Sequence, residues 1–271
     1  VHDDASTDGT SDIVREYAKR YPQIFKPVIQ AENQYSQGKK PTLLSSAHAK
    51  GEYFALCEGD DFWCSEAKLS KQLAALTEHP EINLVIHDAY VLQNNISNYQ
   101  FINYSGKECI LPYDLVYKTA NQFAPTASML FKKEGVIAAF ERYKVLPVGD
   151  FLLEAFLGKP GVYYLPEKMS VYRREALGSW SSNTLNNIDK KLEHCNRMLE
   201  GLRVIHKNLP ADKKDLVRFK SSAVYHELAG TYLKVDSKKA IKYEICALKL
   251  NFSRFKSSIF FFLRVLKNAM F

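Results

Sequence analysis

The sequence predicts an α/β fold, with a mostly parallel central sheet and helices on both faces, followed by an α-helical C-terminal region. Short apolar segments alternate with amphipathic helical segments up to about residue 183, as in chains of βαβ units. Two of the apolar segments run directly into acidic clusters. In parallel sheets, ligand-binding residues lie at this position, just beyond the carboxyl ends of the strands. From residue 184 onward only helical periodicity remains.

The elements follow in order from turn and periodicity signals. Asp8-Gly9-Thr10 forms a turn, Thr10 or Ser11 caps a first helix with one apolar face, and Pro22 ends that helix. A second helix is predicted between Pro41 and Gly51. A third is predicted between Ser65 and Pro80, with Leu69, Leu73 and Leu76 on its apolar face. Strands are predicted at 25–30, 53–57, 84–91, 127–131 and 162–165, whereas 94–121 gives no clear signal.

The composition is that of an ordinary globular protein, with 46% hydrophobic and 25% charged residues among 271. The five cysteines are scattered without the spacing of a zinc site, so reduced, buried thiols in a cytoplasmic protein are expected. No secretory signal is visible, and no apolar run is long enough to cross a bilayer. Because Val1-His2-Asp3 resembles the end of a strand, we expect the first strand to begin upstream.

Charge divides the chain into two regions. The net charge is +7, but residues 1–183 hold 19 Lys and Arg against 22 Asp and Glu, whereas residues 184–271 hold 18 against 8. The C-terminal region is therefore expected to meet an anionic partner. The negative first region argues against nucleic acid as that partner.

The C-terminal region contains two predicted paired helices and a basic tail. Apolar side chains recur at helical spacing in 225–232 and in 240–250. The tail, residues 251–271, carries three consecutive phenylalanines and no acid. Such a helix can lie on an anionic membrane surface without spanning it, or its phenylalanines can pack on the rest of the protein. The basic residues of the tail are Arg254, Lys256, Arg264 and Lys267.

Acidic residues stand at three predicted strand ends or helix starts. The first acidic cluster, Asp3-Asp4-x-Ser6-x-Asp8, ends the opening strand, and the second, Glu58-Gly59-Asp60-Asp61, follows the strand at 53–57. Asp150 precedes an apolar helix. Each alone is explained by a turn or a helix cap. Together they predict carboxylates that can converge on one rim of the sheet.

Several segments resemble the family 2 glycosyltransferases with the GT-A fold. They are DDASTDGTSDIV, AKGEYFALCEGDDFW, KLSKQLAALTEHPEI, APTASMLFKK, VGDFLLEAFLGKPGVYYLPEKMSVYR and a Trp-Ser pair at Trp180. The resemblance covers residues 1–182 in order. It implies a GT-A domain, Rossmann-like and lacking its first strand, over residues 1–183, and a basic α-helical region over residues 184–271.

The resemblance also implies roles for individual residues. It implies that Asp4 contacts the nucleotide base, that Asp60 and Asp61 hold the divalent metal, and that Asp150 is the catalytic base. There are three departures from the family pattern. The family's first strand and its Pro-x-Tyr-Asn-like loop are absent. Glu58 stands where many relatives have Asp, and Tyr172-Arg173 is followed by Arg174, where relatives often have a histidine. The residues implied in donor binding are Asp3, Asp4, Ser6, Asp8, Glu58 and Asp60.

The implied function is metal-dependent transfer of a sugar from a nucleoside-diphosphate sugar, with a UDP-sugar favoured, to a saccharide or lipid-linked saccharide. One base with no nucleophilic carboxylate beside it predicts inversion. By analogy the pathway is bacterial surface polysaccharide synthesis, in the cytoplasm or on the inner membrane face. Two alternatives stay open. A nucleotidyltransferase would carry a Gly-rich phosphate loop near its start, and a non-catalytic adaptor would present the basic helices to a partner.

Overall fold

The computed structural model describes residues 1–93, 96–119, 122–142, 149–174, 187–208, 211, 214–233 and 235–270. Within these ranges, the side chains of 96–99, 139–142, 149–152, 208, 254 and 266–270 are not described. The chain forms two compact units. The first comprises Val1–Phe54 with Lys132–Arg142, and the second comprises Ala55–Phe131 with Tyr143–Phe271.

The first unit is built on the parallel strands β1 (His2–Asp3) and β2 (Val28–Ile29), which helix α1 (Thr10–Arg20) connects. Helix α1 follows Gly9, whose φ of 88° lies in the left-handed region that glycine adopts without strain. The predicted apolar face of α1 is only partly buried. Val14 is buried, whereas Ile13 and Tyr17 are exposed, because a sheet of two short strands offers little surface to cover.

Helices α2 (Pro41–His48) and α5 (Lys133–Arg142) contact each other in the same unit. Pro41 occupies the first position of α2, where its missing N–H leaves no helical hydrogen bond unmade. Lys133 Nζ donates to the carbonyl of Ala49, directly after α2, at 2.8 Å. This bond joins the start of α5 to the end of α2.

A mixed seven-stranded sheet organises the second unit. Its strand order is β3-β8-β5-β9-β4, with β6 paired to β5 and β7 paired to β9. The parallel pairing of β5 with β9 is the longest, from Val85 opposite Tyr163 to Leu92 opposite Arg173. The strands are β3 (Tyr53–Ala55), β4 (Phe62–Trp63), β5 (Leu84–Gln93), β6 (Ile96–Gln100), β7 (Cys109–Pro112), β8 (Leu130–Lys132) and β9 (Gly161–Arg173).

Helix α3 (Lys68–Glu78) buries a different face from the one the sequence predicts. Leu69 and Leu73 are exposed, whereas Lys68 and Gln72 are fully buried beside Leu76. Gln72 Nε2 donates to the carbonyls of Val85 and Ser128, at 3.3 and 2.7 Å. Because these carbonyls, one in β5 and one in the short helical turn before β8, need a polar partner, the helix turns polar side chains inward.

The remaining helices all lie in the second unit. They are α4 (Tyr113–Tyr117), α6 (Gly149–Leu157), α7 (Ile188–Asn208), α8 (Lys214–Tyr232), α9 (Ser237–Leu250) and α10 (Phe255–Met270). The predicted pairing of α8 with α9 is confirmed, and Ser222 of α8 donates to the carbonyl of Ala247 of α9 at 2.7 Å. Lys220 of α8 donates to Thr119, beside α4, at 3.3 Å. The domain boundary between residues 183 and 184 stays a prediction.

Helix α10 is apolar on two opposite sides. Ser258, Phe261 and Val265 are buried, and the two apolar side chains pack against Ala229 and Ala240 of α8 and α9. The other side leaves apolar side chains exposed: Phe255, Ile259, Phe260 and Leu263. In the described part of the chain, no helix combines the length and the apolar character that crossing a bilayer requires.

Candidate active site

Asp3 of the first acidic cluster is a buried structural carboxylate. It lies at the end of β1, is 3% exposed, and accepts hydrogen bonds from the hydroxyl of Ser11 in α1 and from Ser6. Burial raises the pKa of Asp3, but these hydrogen bonds together outweigh burial and leave the pKa below its ordinary value. Asp3 therefore ties the strand to the helix that follows.

Asp4 holds the loop between β2 and α2. Its two carboxylate oxygens accept the backbone N–H groups of Gln34 and Tyr35, at 2.8 and 2.9 Å, and its carbonyl accepts from Asn33 Nδ2 at 3.3 Å. A carboxylate can accept about four hydrogen bonds, so two such bonds leave room for a ligand N–H. The predicted contact of Asp4 with a nucleotide base stays a prediction.

Asp8 acts at the start of α1. Its carboxylate accepts from the backbone N–H and the hydroxyl of Thr10, at 3.1 and 2.6 Å, and these bonds lower its pKa. The helix start is therefore stabilised by Asp8 and by the conformation of Gly9, not by the predicted caps Thr10 or Ser11. Ser6 lies exposed between the aspartates.

The second acidic cluster is a tight turn between β3 and β4. The N–H of Asp61 donates to the carbonyl of Glu58 at 3.1 Å, which closes the turn. Glu58 itself is exposed, and Asp60 is partly exposed. Directly after the turn, Phe62 and Trp63 pair with the end of β9, so the sheet fixes where the acidic turn lies.

Asp61 is a buried carboxylate with an incomplete set of partners. It is 7% exposed, and its Oδ1 accepts the N–H of Arg173 at 2.9 Å, whereas its buried Oδ2 has no hydrogen-bond partner among the described residues. Burial, with a smaller contribution from the charge of Asp60, raises the pKa of Asp61 to about 6. Because an unpaired buried charge is costly, this oxygen is suited to receive a cation.

Arg173 is the residue of this site that sequence reasoning missed. Its guanidinium Nε donates to the carbonyl of Asp60, and its backbone N–H donates to Asp61. Arg173 therefore fixes both aspartates from the far end of β9. The only sequence signal was the Tyr172-Arg173 pair, which served as a family landmark and carried no role.

Asp150 lies in the first turn of α6, but its side chain is outside the described residues, as is Trp180. Glu154, one turn later on the same helix, is 2% exposed and accepts the N–H groups of Phe123 and Ala124, both at 2.9 Å. Glu154 therefore positions a loop. Its burial and its two amide donors make it unsuited to take a proton from an acceptor.

A buried polar network lies behind the second acidic cluster. Lys68 Nζ lies 4.2 Å from the Trp63 ring centroid and donates to Gln72 at 2.8 Å, and burial lowers the pKa of Lys68 to about 8. Burial also lowers the pKa of His87 to about 4 and raises the pKa of the Cys57 thiol to about 11. These shifts favour the uncharged forms of His87 and Cys57 at neutral pH.

Protein metal ligands are few at this site. Within the described ranges, no group of three or more His, Cys, Asp or Glu side chains could hold a metal ion. Asp60 and Asp61 together provide a pair of carboxylates. A cation here would need further ligands from water or from a bound substrate, as is usual for Mg²⁺ at phosphate-binding sites. All five cysteines are free, but the predicted burial is wrong for most of them: Cys195 is buried, whereas Cys57 and Cys64 are exposed.

Comparison with known proteins identifies the family. The model of glycosyl transferase family 2 matches residues 1–180. An uncharacterized protein of Mycobacterium tuberculosis is 36% identical over 183 residues, which make up 67% of this chain and 51% of that protein. An uncharacterized glycosyltransferase of Nostoc is 26% identical over 184 residues, 64% of this chain and 54% of that protein. The chain thus spans about half the length of these curated relatives.

A solved structure supports the fold. The mannosyltransferase PcManGT of Pyrobaculum calidifontis, in complex with GDP-Man and Mn²⁺, superimposes with a TM-score of 0.51 at 15% identity, covering 100% of this chain and 76% of that one. At this identity the likeness concerns the fold alone. With the family match over two thirds of the sequence, it confirms the predicted architecture. The chain therefore belongs to glycosyl transferase family 2 and has the GT-A fold.

Proposed function

We propose that the protein transfers a sugar from a nucleoside-diphosphate sugar to an acceptor hydroxyl, with a divalent cation and with inversion at the anomeric carbon. The observation that carries this proposal is the buried Oδ2 of Asp61 beside Asp60, which has no hydrogen-bond partner in the described part of the chain. Carboxylate oxygens suit Mg²⁺ or Mn²⁺. Bound there, the cation would neutralise charge that develops on the departing diphosphate.

The protein's own residues prepare this site. Arg173 holds the turn through the carbonyl of Asp60 and the Oδ1 of Asp61, which orients the remaining carboxylate oxygens before any ligand binds. Such orientation lowers the cost of arranging the ligands during the reaction. The raised pKa of Asp61 agrees with this role, because a cation would offset the burial that now disfavours its charge.

Asp150 is proposed as the general base. It lies in the first turn of α6, and a helix N-terminus favours the charged form of a carboxylate. Asp150 would take the proton of the acceptor hydroxyl while that oxygen attacks the anomeric carbon and the nucleoside diphosphate leaves. A single displacement by the acceptor inverts the configuration at that carbon.

Asp150→Asn tests this role. The amide keeps the shape and most of the capping ability but cannot accept the proton, so transfer should fall by roughly 10²–10⁴-fold with little change in donor affinity. Asp189→Asn, in the first turn of α7, is the matched control and should leave transfer unchanged. Transfer by Asp150→Asn close to the parental rate would show that Asp150 is only a helix cap.

The donor is tested with a panel of nucleotide sugars. Asp4 can accept the imide N–H of uracil, so we expect the highest activity with UDP-sugars. The panel includes GDP-sugars because the structural relative is in complex with GDP-Man. Release of nucleoside diphosphate is measured with Mn²⁺, with Mg²⁺ and with excess chelator. Full activity in chelator would contradict the metal proposal.

We further propose that the tail docks peripherally on an anionic membrane, in a pathway of bacterial surface polysaccharide synthesis. Phe260 and Leu263 are 69% and 56% exposed on α10, while the opposite side of the helix is packed. The exposed side also carries Lys256 and Arg264, and residues 251–271 contain no acid. Exposed apolar groups flanked by cations are typical of interfacial helices.

Flotation with anionic liposomes at low salt tests the docking. The parent protein should float with the vesicles, and the double variant Phe260→Ser with Leu263→Ser should remain at the bottom. The double variant Val235→Ser with Ile245→Ser removes exposed apolar side chains elsewhere in the helical region and should still float. A parent protein that fails to float, or a Phe260/Leu263 variant that floats equally well, would contradict membrane docking.

A further inference from the structure

A cleft of about 330 Å³ lies between three helices of the C-terminal region. Its apolar residues are Leu202 of α7, Val217 of α8 and Leu250 at the end of α9, of which Leu202 and Val217 are buried. The volume is in the range of small-molecule binding sites. An apolar cleft of this size can take several methylene groups of a ligand.

The cleft also carries cationic side chains. Arg203 and Lys207 of α7 and Arg218 of α8 line it, together with His206 and Ser221, and none of the described residues that line it is acidic. Arg218 pairs with exposed Asp215 at 3.2 Å. In the part of the chain that the structure describes, Arg203 and Lys207 have no hydrogen-bond or ion-pair partner. Their charges are available to an anion.

Chain continuity links the cleft to the exposed apolar side of the tail. Leu250 lines the cleft, and Phe252, two residues later, is 74% exposed and stacks on Phe255 at a ring distance of 5.3 Å. An apolar surface therefore begins next to the cleft wall. A ligand with an anionic head and a long apolar chain matches this order of features.

We propose that the cleft binds a lipid phosphate, with the phosphate against Arg203, Lys207 and Arg218 and the first part of the chain against Leu202, Val217 and Leu250. Guanidinium groups match phosphate oxygens in geometry and charge. On the basis of the proposed function, we identify this ligand as the lipid anchor of a lipid-linked acceptor. Binding needs neither donor nor metal.

The test measures binding of dodecyl phosphate below its critical micelle concentration, by calorimetry, on the full chain without donor or metal. Dodecyl maltoside and inorganic phosphate are the comparison ligands. We expect saturable binding of dodecyl phosphate and at least about ten-fold weaker binding of both others, since each lacks one half of the recognised structure. Equal affinity for either comparison ligand would overturn the proposal.

Variants locate the site. The double variant Arg203→Gln with Lys207→Gln should weaken dodecyl phosphate binding by about ten-fold or more. Ser221→Leu, which fills the cleft and keeps every charge, should also weaken it. The matched control, Lys238→Gln with Lys242→Gln on exposed positions of α9, removes the same charge and should bind like the parent. Unchanged binding in both cleft variants would overturn the site, while the transfer proposal is judged separately by diphosphate release.

Discussion

In the first acidic cluster every aspartate has protein partners, whereas in the second a buried carboxylate oxygen has none among the residues that the structure describes. Asp3 and Asp8 accept hydrogen bonds from side chains and backbone around α1, and their pKa values are lowered. Asp61 keeps one buried oxygen without a partner, and its pKa is raised to about 6. The two clusters look alike in sequence, but the first has the properties of a structural anchor and the second those of a cation site.

The largest expected effect comes from removing one charge from each cluster. Asp61→Asn should lower transfer by about 10³-fold, because charge stabilisation by a metal contributes several kcal/mol to catalysis. Asp8→Asn, the same chemical change in the first cluster, should lower it by less than about ten-fold, since an amide oxygen can still accept from Thr10. Initial rates of nucleoside diphosphate release provide the measurement. Equal losses would remove the distinction between the clusters.

Metal addition provides the second test. A ligand that binds only the folded state stabilises it by about 2.7 kcal/mol at 100 times its dissociation constant. Mn²⁺ should therefore raise the unfolding free energy of the parent protein and of Asp8→Asn, but not that of Asp61→Asn. Urea unfolding with and without Mn²⁺ measures this. Stabilisation of Asp61→Asn equal to that of the parent would place the metal elsewhere.

Removing Asp4 should loosen a loop and leave the global fold in place. Asp4→Ala deprives the N–H groups of Gln34 and Tyr35 of their acceptors, so the opening free energy of this loop should fall by about 2 kcal/mol. Hydrogen exchange at the two amides measures the change. Donor affinity should fall as well if Asp4 also contacts the nucleotide base. Unchanged protection of both amides would show that Asp4 does not hold the loop.

The sequence was sufficient to predict the fold class and that each acidic cluster follows a strand. It predicted one shared sheet rim, however, whereas β1 belongs to a two-stranded sheet and β3 to the seven-stranded sheet. Asp3-Asp4 ends β1 and Asp60-Asp61 follows β3, because the turns after short apolar strands are local features. The family resemblance covers the same region as the family match. Local patterns and motif order were therefore enough for the architecture.

What the sequence could not predict depends on distant contacts. The pKa of Asp61 is set by burial and by the hydrogen bond from Arg173, 112 residues away. The polar inner face of α3 follows from carbonyls of Val85 and Ser128, which no periodicity in α3 can indicate. Glu154, one turn after Asp150, has its Oε1 occupied by loop amides some 30 residues earlier. Hydrogen-bond satisfaction is a property of the folded chain.

The smallest expected effect is also the most direct test of the comparison, because the two clusters should change stability with pH in opposite directions. Asp61 has a folded pKa of about 6, above the ordinary value of 3.8. Its contribution to stability is therefore greatest below pH 3.8 and is lost as pH rises through 6. Asp3 has a lowered pKa, so its contribution is present above the ordinary value and is lost as pH falls below it.

Without metal at pH 7, Asp61→Asn should therefore raise the unfolding free energy by about 1 kcal/mol. The difference between the folded pKa of Asp61, about 6, and its ordinary value of 3.8 corresponds to about 3 kcal/mol. Burying the new amide group offsets part of this gain. The gain should shrink and vanish as pH falls from 6 to 4. Asp3→Asn should instead lower stability at pH 7, and its deficit should shrink as pH falls below 4. Urea unfolding of both variants and the parent across pH 3.5 to 7.5 measures the two curves. If both variants lowered the unfolding free energy at pH 7, both clusters would be structural anchors. The proposal that Asp61 binds a cation would then be contradicted.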